Sequence, residues 1–174
     1  MPTARESLLE AARSAVDERP WPLVRMVEVA ASAGVSRQTL YNEFGDKAGL
    51  GRALTDHRVS GFLDAFREHC ARRATGAGDP LAEAADWIVS TARADRLVRA
   101  SLTGCRCGGM PPAQAPPGRL VAELRERALR ALTPHTAPPA RAGLPDSCET
   151  AIRLAISRLI APPERENAPS PGAR

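Results

Sequence analysis

Arg37, Gln38, Tyr41 and Asn42 are the residues whose types and spacing best suit recognition of a partner. On a helix opening at Ser36, Leu40 and Phe44 (i, i+4) turn inward and leave these four on the opposite face. A short helix that exposes such groups beside its N-terminus suits entry into a DNA major groove. The elements that must position it surround it, from Val24 to Lys47 (VRMVEVAASAGVSRQTLYNEFGDK). Val27, Val29, Ala30 and Ala33 give an apolar stripe at helical spacing. Gly34 supplies the positive φ that a tight turn between helices requires. Ser36 can accept a bond from a free backbone N–H, and Val35 can pack on Leu40 as a staple. The pattern predicts a helix-turn-helix followed at once by a further helix start.

The 174 residues suit one medium domain or two small ones sharing a helix. Aromatic residues make up only 3%, so Ala, Leu and Val must do the packing, which suits close-packed helices. The net charge of +4 is too small to argue for nucleic acid by itself; the placement of cations near Arg37 and Lys47 carries that argument. The opening MPTARESLLE has no apolar run of the secretory kind, and no later stretch approaches a membrane span. The expected location is the cytoplasm, with no membrane partner, and the four cysteines are expected to be reduced. No nucleophile elbow, phosphate loop or paired-carboxylate pattern occurs, so neither catalysis nor a cofactor is expected.

The remaining elements follow from caps and breakers. Thr3 and Glu6 form a capping box ahead of Leu8, Leu9, Ala12, Ala15 and Val16, and the helix stops at Pro20. Trp21, between two prolines, reads as a plug under the helix-turn-helix. Asp46 caps a long helix with Leu50, Leu54, Phe62, Ala65, Phe66 and Cys70 on its apolar side, weakened at Gly51 and Gly61. Asp79-Pro80 opens a helix carrying Leu81, Ala84, Ala85, Ile88 and Ala92, with Trp87 on its flank. Asp95 caps a short one carrying Leu97, Val98 and Leu102. Gly104 to Gly118 reads as a Gly/Pro-rich loop. Leu120 to Leu132 gives another helix. After a second Pro-rich loop ending at Pro145, Asp146 and Glu149 repeat the capping-box pattern before Ile152, Ala155, Ile156, Leu159 and Ile160. The chain is expected to be all-α.

Residues 3–55 resemble the N-terminal part of the TetR (tetracycline-repressor-like) family of bacterial transcription regulators. The resemblance rests on Val29-Ala30, Ala33-Gly34-Val35-Ser36, Thr39-Leu40-Tyr41, Phe44, and Lys47 with Leu50. It implies a helix-turn-helix DNA-binding head at 1–45, a linking helix at 46–74 and a ligand-binding and dimerisation half at 75–162, while the Pro-rich, polar composition of 163–174 predicts a disordered tail. By position, Arg37, Gln38 and Asn42 would face base edges, with Ser36 beside them. Thr39 and Tyr41 would contact phosphate or a thymine methyl, and Lys47 a backbone phosphate. The family acts as homodimers on palindromic operators in double-stranded DNA, mostly as repressors released by a small molecule. This chain departs from the pattern at Pro20, where a glycine is usual, and at Val24-Arg25, where a threonine pair is usual; Arg25 could supply the phosphate contact instead.

Other residues admit further readings. Cys105 and Cys107 lack the spacing and ligand number of a structural zinc site and read as loop cysteines. His57 and His69 lie too far apart on one helix to share a metal. Trp87, Leu97, Leu102, Met110 and Leu124 could line a pocket for an apolar or aromatic effector, or be ordinary core. Ile152, Ile156, Leu159 and Ile160 are the expected dimer seam. The alternative function is a metal- or small-molecule-binding sensor in which DNA binding is secondary.

Overall fold

Thr3 opens the first helix with a reciprocal cap. Its hydroxyl accepts from the Glu6 N–H at 3.2 Å, and the Glu6 carboxylate accepts from the Thr3 N–H at 2.7 Å. These bonds satisfy donors that no intrahelical carbonyl can reach. The computed structural model describes residues 2–105, 109–111 and 115–161. Among them the chain forms nine α-helices and two 3-10 turns, with no strand. The helices are α1 (Ala4–Glu18), α2 (Met26–Ser32), α3 (Arg37–Phe44), α4 (Lys47–Arg73), α5 (Pro80–Ala94), α6 (Arg96–Thr103), α7 (Pro117–Leu132), α8 (Pro138–Arg141) and α9 (Leu144–Ile160).

Two clusters of buried side chains organise them. One joins α1, α2 and α3 to the first half of α4 through Leu8, Val16, Trp21, Val29, Leu40 and Leu54. The other joins the second half of α4 to α5, α6, α7 and α9 through Phe66, Ile88, Leu102, Leu124 and Ile152. With 27 residues, α4 runs about 40 Å and is shared by both. Its apolar face is not quite the one read from sequence: Ala65 lies at the surface and Leu63 is buried. The first half of α4 packs on α1 and the second on α5 and α7, so the inward face changes partners along the helix. Gly51 is where the loop after α6 and the turn before α2 meet it. A Cβ there would lie 2.8 Å from Cζ2 of Trp21 and 3.2 Å from Cβ of Pro111, so the indole rests against bare backbone.

Three further differences from the sequence reading have local causes. Val27 is 37% exposed, and Val24, in the extended residues before α2, is buried with Val29 and Ala30 instead. The second Pro-rich segment is not all loop: it holds a 3-10 turn (Thr133–His135) and α8. The last helix starts at Leu144, with Pro145 in its first turn, where a missing N–H goes unmissed. Asp146 and Glu149 therefore form no capping box. Glu149 instead accepts from Arg153 Nε at 2.9 Å and Arg125 Nη1 at 3.2 Å, chiefly the former holding its carboxyl below the usual range. On this helix Ile152 faces the core, while Ile156 and Leu159 are partly buried against it. Leu154, at 59% exposed, and Ile160, at 64%, point outward.

Candidate nucleic-acid interface

The turn between α2 and α3 is made by Gly34 at φ 68°. Ser36 then caps α3, its Oγ accepting from the Thr39 N–H at 3.0 Å and lying 2.8 Å from Thr39 Oγ1. Leu40 and Phe44 hold the helix from beneath. Arg5 of α1 braces it from the side, its guanidinium 4.8 Å from the Phe44 ring centre and 3.5 Å from the Glu43 carboxylate. What remains exposed is the predicted set: Arg37, Gln38, Tyr41 and Asn42 share one open face, and Tyr41 is 47% accessible.

Their side chains are partly organised already. Gln38 Nε2 donates to Asn42 Oδ1 at 2.8 Å. The Gln38 carbonyl and the Asn42 amide N–H groups are left over, an acceptor and a donor side by side. Adenine offers the complementary donor and acceptor on its major-groove edge. Among the described residues Arg37 has no acidic partner.

The phosphate candidates are placed less uniformly. Thr39 is half-buried with its hydroxyl turned to Ser36. Arg25 precedes α2, largely exposed, 3.9 Å from Glu28. Lys47 is braced inward: its Nζ donates to the Pro22 carbonyl at 2.8 Å and lies 5.4 Å from the Trp21 ring centre. An ammonium has three protons, so two remain for an outer partner.

Two contacts that sequence reasoning did not supply tie this region to the rest. The Trp21 backbone N–H donates to the Gly109 carbonyl at 2.8 Å. Asp95 accepts from Arg58 Nε of α4 at 2.8 Å through one oxygen, and through the other from the N–H groups of Leu97 and Val98 at 2.9 and 3.1 Å. The Trp21–Gly109 and Arg58–Asp95 bonds join residues far apart in the chain, which no local pattern reveals, whereas the cap that Asp95 gives α6 was read from sequence. The Gln38–Asn42 pair, at i, i+4, was readable from spacing.

The five residues expected around an effector are not gathered in one place. Because α6 straddles the two clusters, Leu97 is buried with the head and Leu102 with the other core. Met110 packs against the head, and Leu124 is fully enclosed in the larger core. Trp87 lies half-buried over α4, its ring 5.2 Å from Phe62, 5.7 Å from Phe66 and 5.5 Å from His69. Burial, with Arg73 nearby, holds His69 below its ordinary 6.5. As pH falls below 6.5 the unfolded chain therefore takes the proton first, and the fold loses stability through that window. His69→Gln should reduce the loss, read as the change in urea midpoint between neutral pH and mild acid.

Cys105 is exposed, Cys107 lies outside the described residues, and so does the expected tail at 163–174. Cys70 and Cys148 are buried, and burial pushes the Cys70 thiol up to about 12, which disfavours a reactive thiolate. Among the described residues no three His, Cys, Asp or Glu side chains gather as metal ligands would.

Comparison with known proteins bears on the same segment. Residues 8–54 match the family model described as bacterial regulatory proteins, tetR family. Over 93 residues the chain is 36% identical to the HTH-type transcriptional regulator AlkX of Mycobacterium tuberculosis, covering 44% of either chain. It thus spans under half the length of that relative. The crystal structure of the TetR family repressor AlkX from Dietzia sp. strain DQ12-45-1b, implicated in biodegradation of n-alkanes, has a similar fold. There the TM-score is 0.57 at 24% identity, covering 92% of this chain and 85% of that one. The matched segment coincides with α1 to the start of α4, so residues 8–54 form a tetR-family regulatory head, and the likeness of fold extends to α9.

Proposed function

We propose that this protein is a transcriptional regulator that binds a palindromic operator as a homodimer and, acting as a repressor, is released by a small apolar or aromatic effector. The observation that carries the reading is the open face of α3. Arg37, Gln38, Tyr41 and Asn42 stand exposed together beside a capped N-terminus, on a helix fixed by Leu40 and Phe44. In this reading Arg37, Gln38 and Asn42 read base edges. Arg25, Ser36, Thr39, Tyr41 and Lys47 hold the backbone, supplying affinity that falls with salt. No bond is made or broken. Work on DNA places the protein in the cytoplasm, and no helix among the described residues is long and apolar enough to cross a membrane. Selection of duplexes from a random pool should yield a two-fold symmetric motif whose half-sites lie about 34 Å apart or a multiple of it. Enrichment of no motif would count against the reading.

The homodimer needs an exposed apolar face, and α9 offers one. Leu154 lies on an open groove of about 660 Å³ between α5 and α9, lined also by Leu81, Ala82, Thr150 and Ala151. Ile160, near the end of α9, is exposed as well. This seam differs from the one expected, since Ile152 is spent on the core. Leu154→Glu should raise the dimer dissociation constant about ten-fold or more, because a carboxylate would be stripped of water at the seam. Light scattering across a dilution series checks this, and an unmoved constant would put the seam elsewhere.

A further inference from the structure

Between Val24 and Phe44 the chain has two acids, Glu28 on α2 and Glu43 on α3, and each meets an arginine from one end of α1. Arg19, the C-terminal cap of α1, places Nη1 2.9 Å from Glu28 Oε2. Arg5, in the first turn, places Nη1 3.5 Å from Glu43 Oε2. Local preference does not put Arg5 there. The start of a helix is its positive end and favours acids, so a cation in that turn sits against the dipole. What holds it is tertiary: the Phe44 ring, whose centre lies 4.8 Å from the guanidinium, and the Glu43 carboxylate beside it. Acids closer along the chain are already engaged. Glu6 caps the first turn with Thr3, and Glu10 and Asp17 both pair with Arg13. Arg52 and Asp56 line the open depression in which Arg5 and Glu43 meet, but they stand a turn apart on α4 with opposite signs. Arg5 therefore sets the charge balance at Glu43.

We infer that α1 shields the reading head: Arg5 and Arg19 are positioning residues that neutralise Glu43 and Glu28, so that α2 and α3 can approach a polyanion without repulsion. Glu43 follows Asn42 and is exposed on the flank of the open face of α3. A bare carboxylate there would stand against phosphate oxygens, and like charges brought together across an interface are costly. Glu28 acts through a neighbour. Arg25, a candidate for backbone contact, lies 3.9 Å from it. Without Arg19 that carboxylate would draw Arg25 to itself and take a cation from the DNA side. Both α1 pairs are more than a third exposed, so they add little to folding stability. Their effect lies in the face they clear of negative charge. This inference rests on reading α3 as the DNA-binding helix.

The test is fluorescence anisotropy of full-chain variants on a duplex selected by the parent chain, at low and at moderate salt. Arg5→Met keeps an apolar stem over Phe44 and removes the charge. It should weaken binding to every duplex about five-fold at low salt, and by less at moderate salt, where the repulsion is screened. Arg19→Met should behave alike, and Arg5→Lys, which keeps the charge, should hold the parent's affinity. Adding Glu43→Gln to Arg5→Met should restore that affinity to within about two-fold, as should adding Glu28→Gln to Arg19→Met. Glu68→Gln, on the second half of α4, should restore neither, and the urea midpoints should stay at the parent's value. A loss that persists after Glu43→Gln means that Arg5 touches DNA itself or props the fold, and it overturns the shield. Equal rescue by Glu68→Gln reduces the effect to net charge and overturns it too. Arg37→Ala separates the inference from the reading beneath it. If Arg37→Ala weakens binding while Arg5→Met and Arg19→Met do not, the shield alone fails; if none of the three does, α3 is not the reading helix.

Discussion

Trp21→Ala should lower the unfolding free energy by about 3–5 kcal/mol, the range for truncating a large buried aromatic side chain. The indole is buried in the cluster that joins α1, α2, α3 and the first half of α4. One edge of it lies so close to Gly51 that no side chain fits there, so the cavity left behind could not be filled from that helix. Lys47 would also lose the ring beneath its ammonium, loosening its hold on the Pro22 carbonyl. Urea denaturation of the full chain, followed by far-ultraviolet circular dichroism, gives the number. Trp21→Phe should recover part of it, since a smaller ring still fills much of the space. A loss below about 1 kcal/mol in Trp21→Ala would mean that the residue is not a plug and that the head is held by other contacts.

Asp95→Ala should cost about 2–3 kcal/mol, because one carboxylate serves two purposes. It caps α6, a contribution of about 0.5–2 kcal/mol, and it pairs with Arg58 across to α4, an interaction only partly open to water. Asp95→Asn separates the two: an asparagine caps nearly as well and carries no charge, so it should cost about 1 kcal/mol. Equal losses in both variants would assign the effect to the ion pair, and a harmless Asp95→Ala would remove this junction from the account of how α6 is seated. The same urea experiment distinguishes these outcomes.

How far the sequence could be read depended on whether the deciding contact was local. Thr3, Ser36, Asp46, Asp79 and Asp95 all cap where their spacing said they would, because a cap acts within three residues of itself. The exposed set on α3 was legible for the same reason: Leu40 and Phe44 fix which way the helix faces. Asp146 and Glu149 had the right spacing and yet do not cap, since Pro145 tolerates the first turn and the helix begins earlier. Leu97 and Leu102 belong to one apolar stripe in sequence but to two cores in space, which only the placement of α6 decides. Lys47 read as a cation for phosphate, and nothing near it in the chain announced the Pro22 carbonyl it reaches.

The central claim is that α3 reads DNA, and the most direct test measures Arg37→Ala and Lys47→Ala on a duplex selected by the parent chain. Fluorescence anisotropy across a salt series, on that duplex and on single-base variants of it, separates base readout from backbone contact. Arg37→Ala should cost about 1–3 kcal/mol on the selected duplex and flatten discrimination at one base pair in each half-site. Lys47→Ala should weaken every duplex alike and lower the salt slope by about one. If Arg37→Ala bound the selected duplex and its variants with the parent's affinities, α3 would not be the reading helix and the account would be wrong.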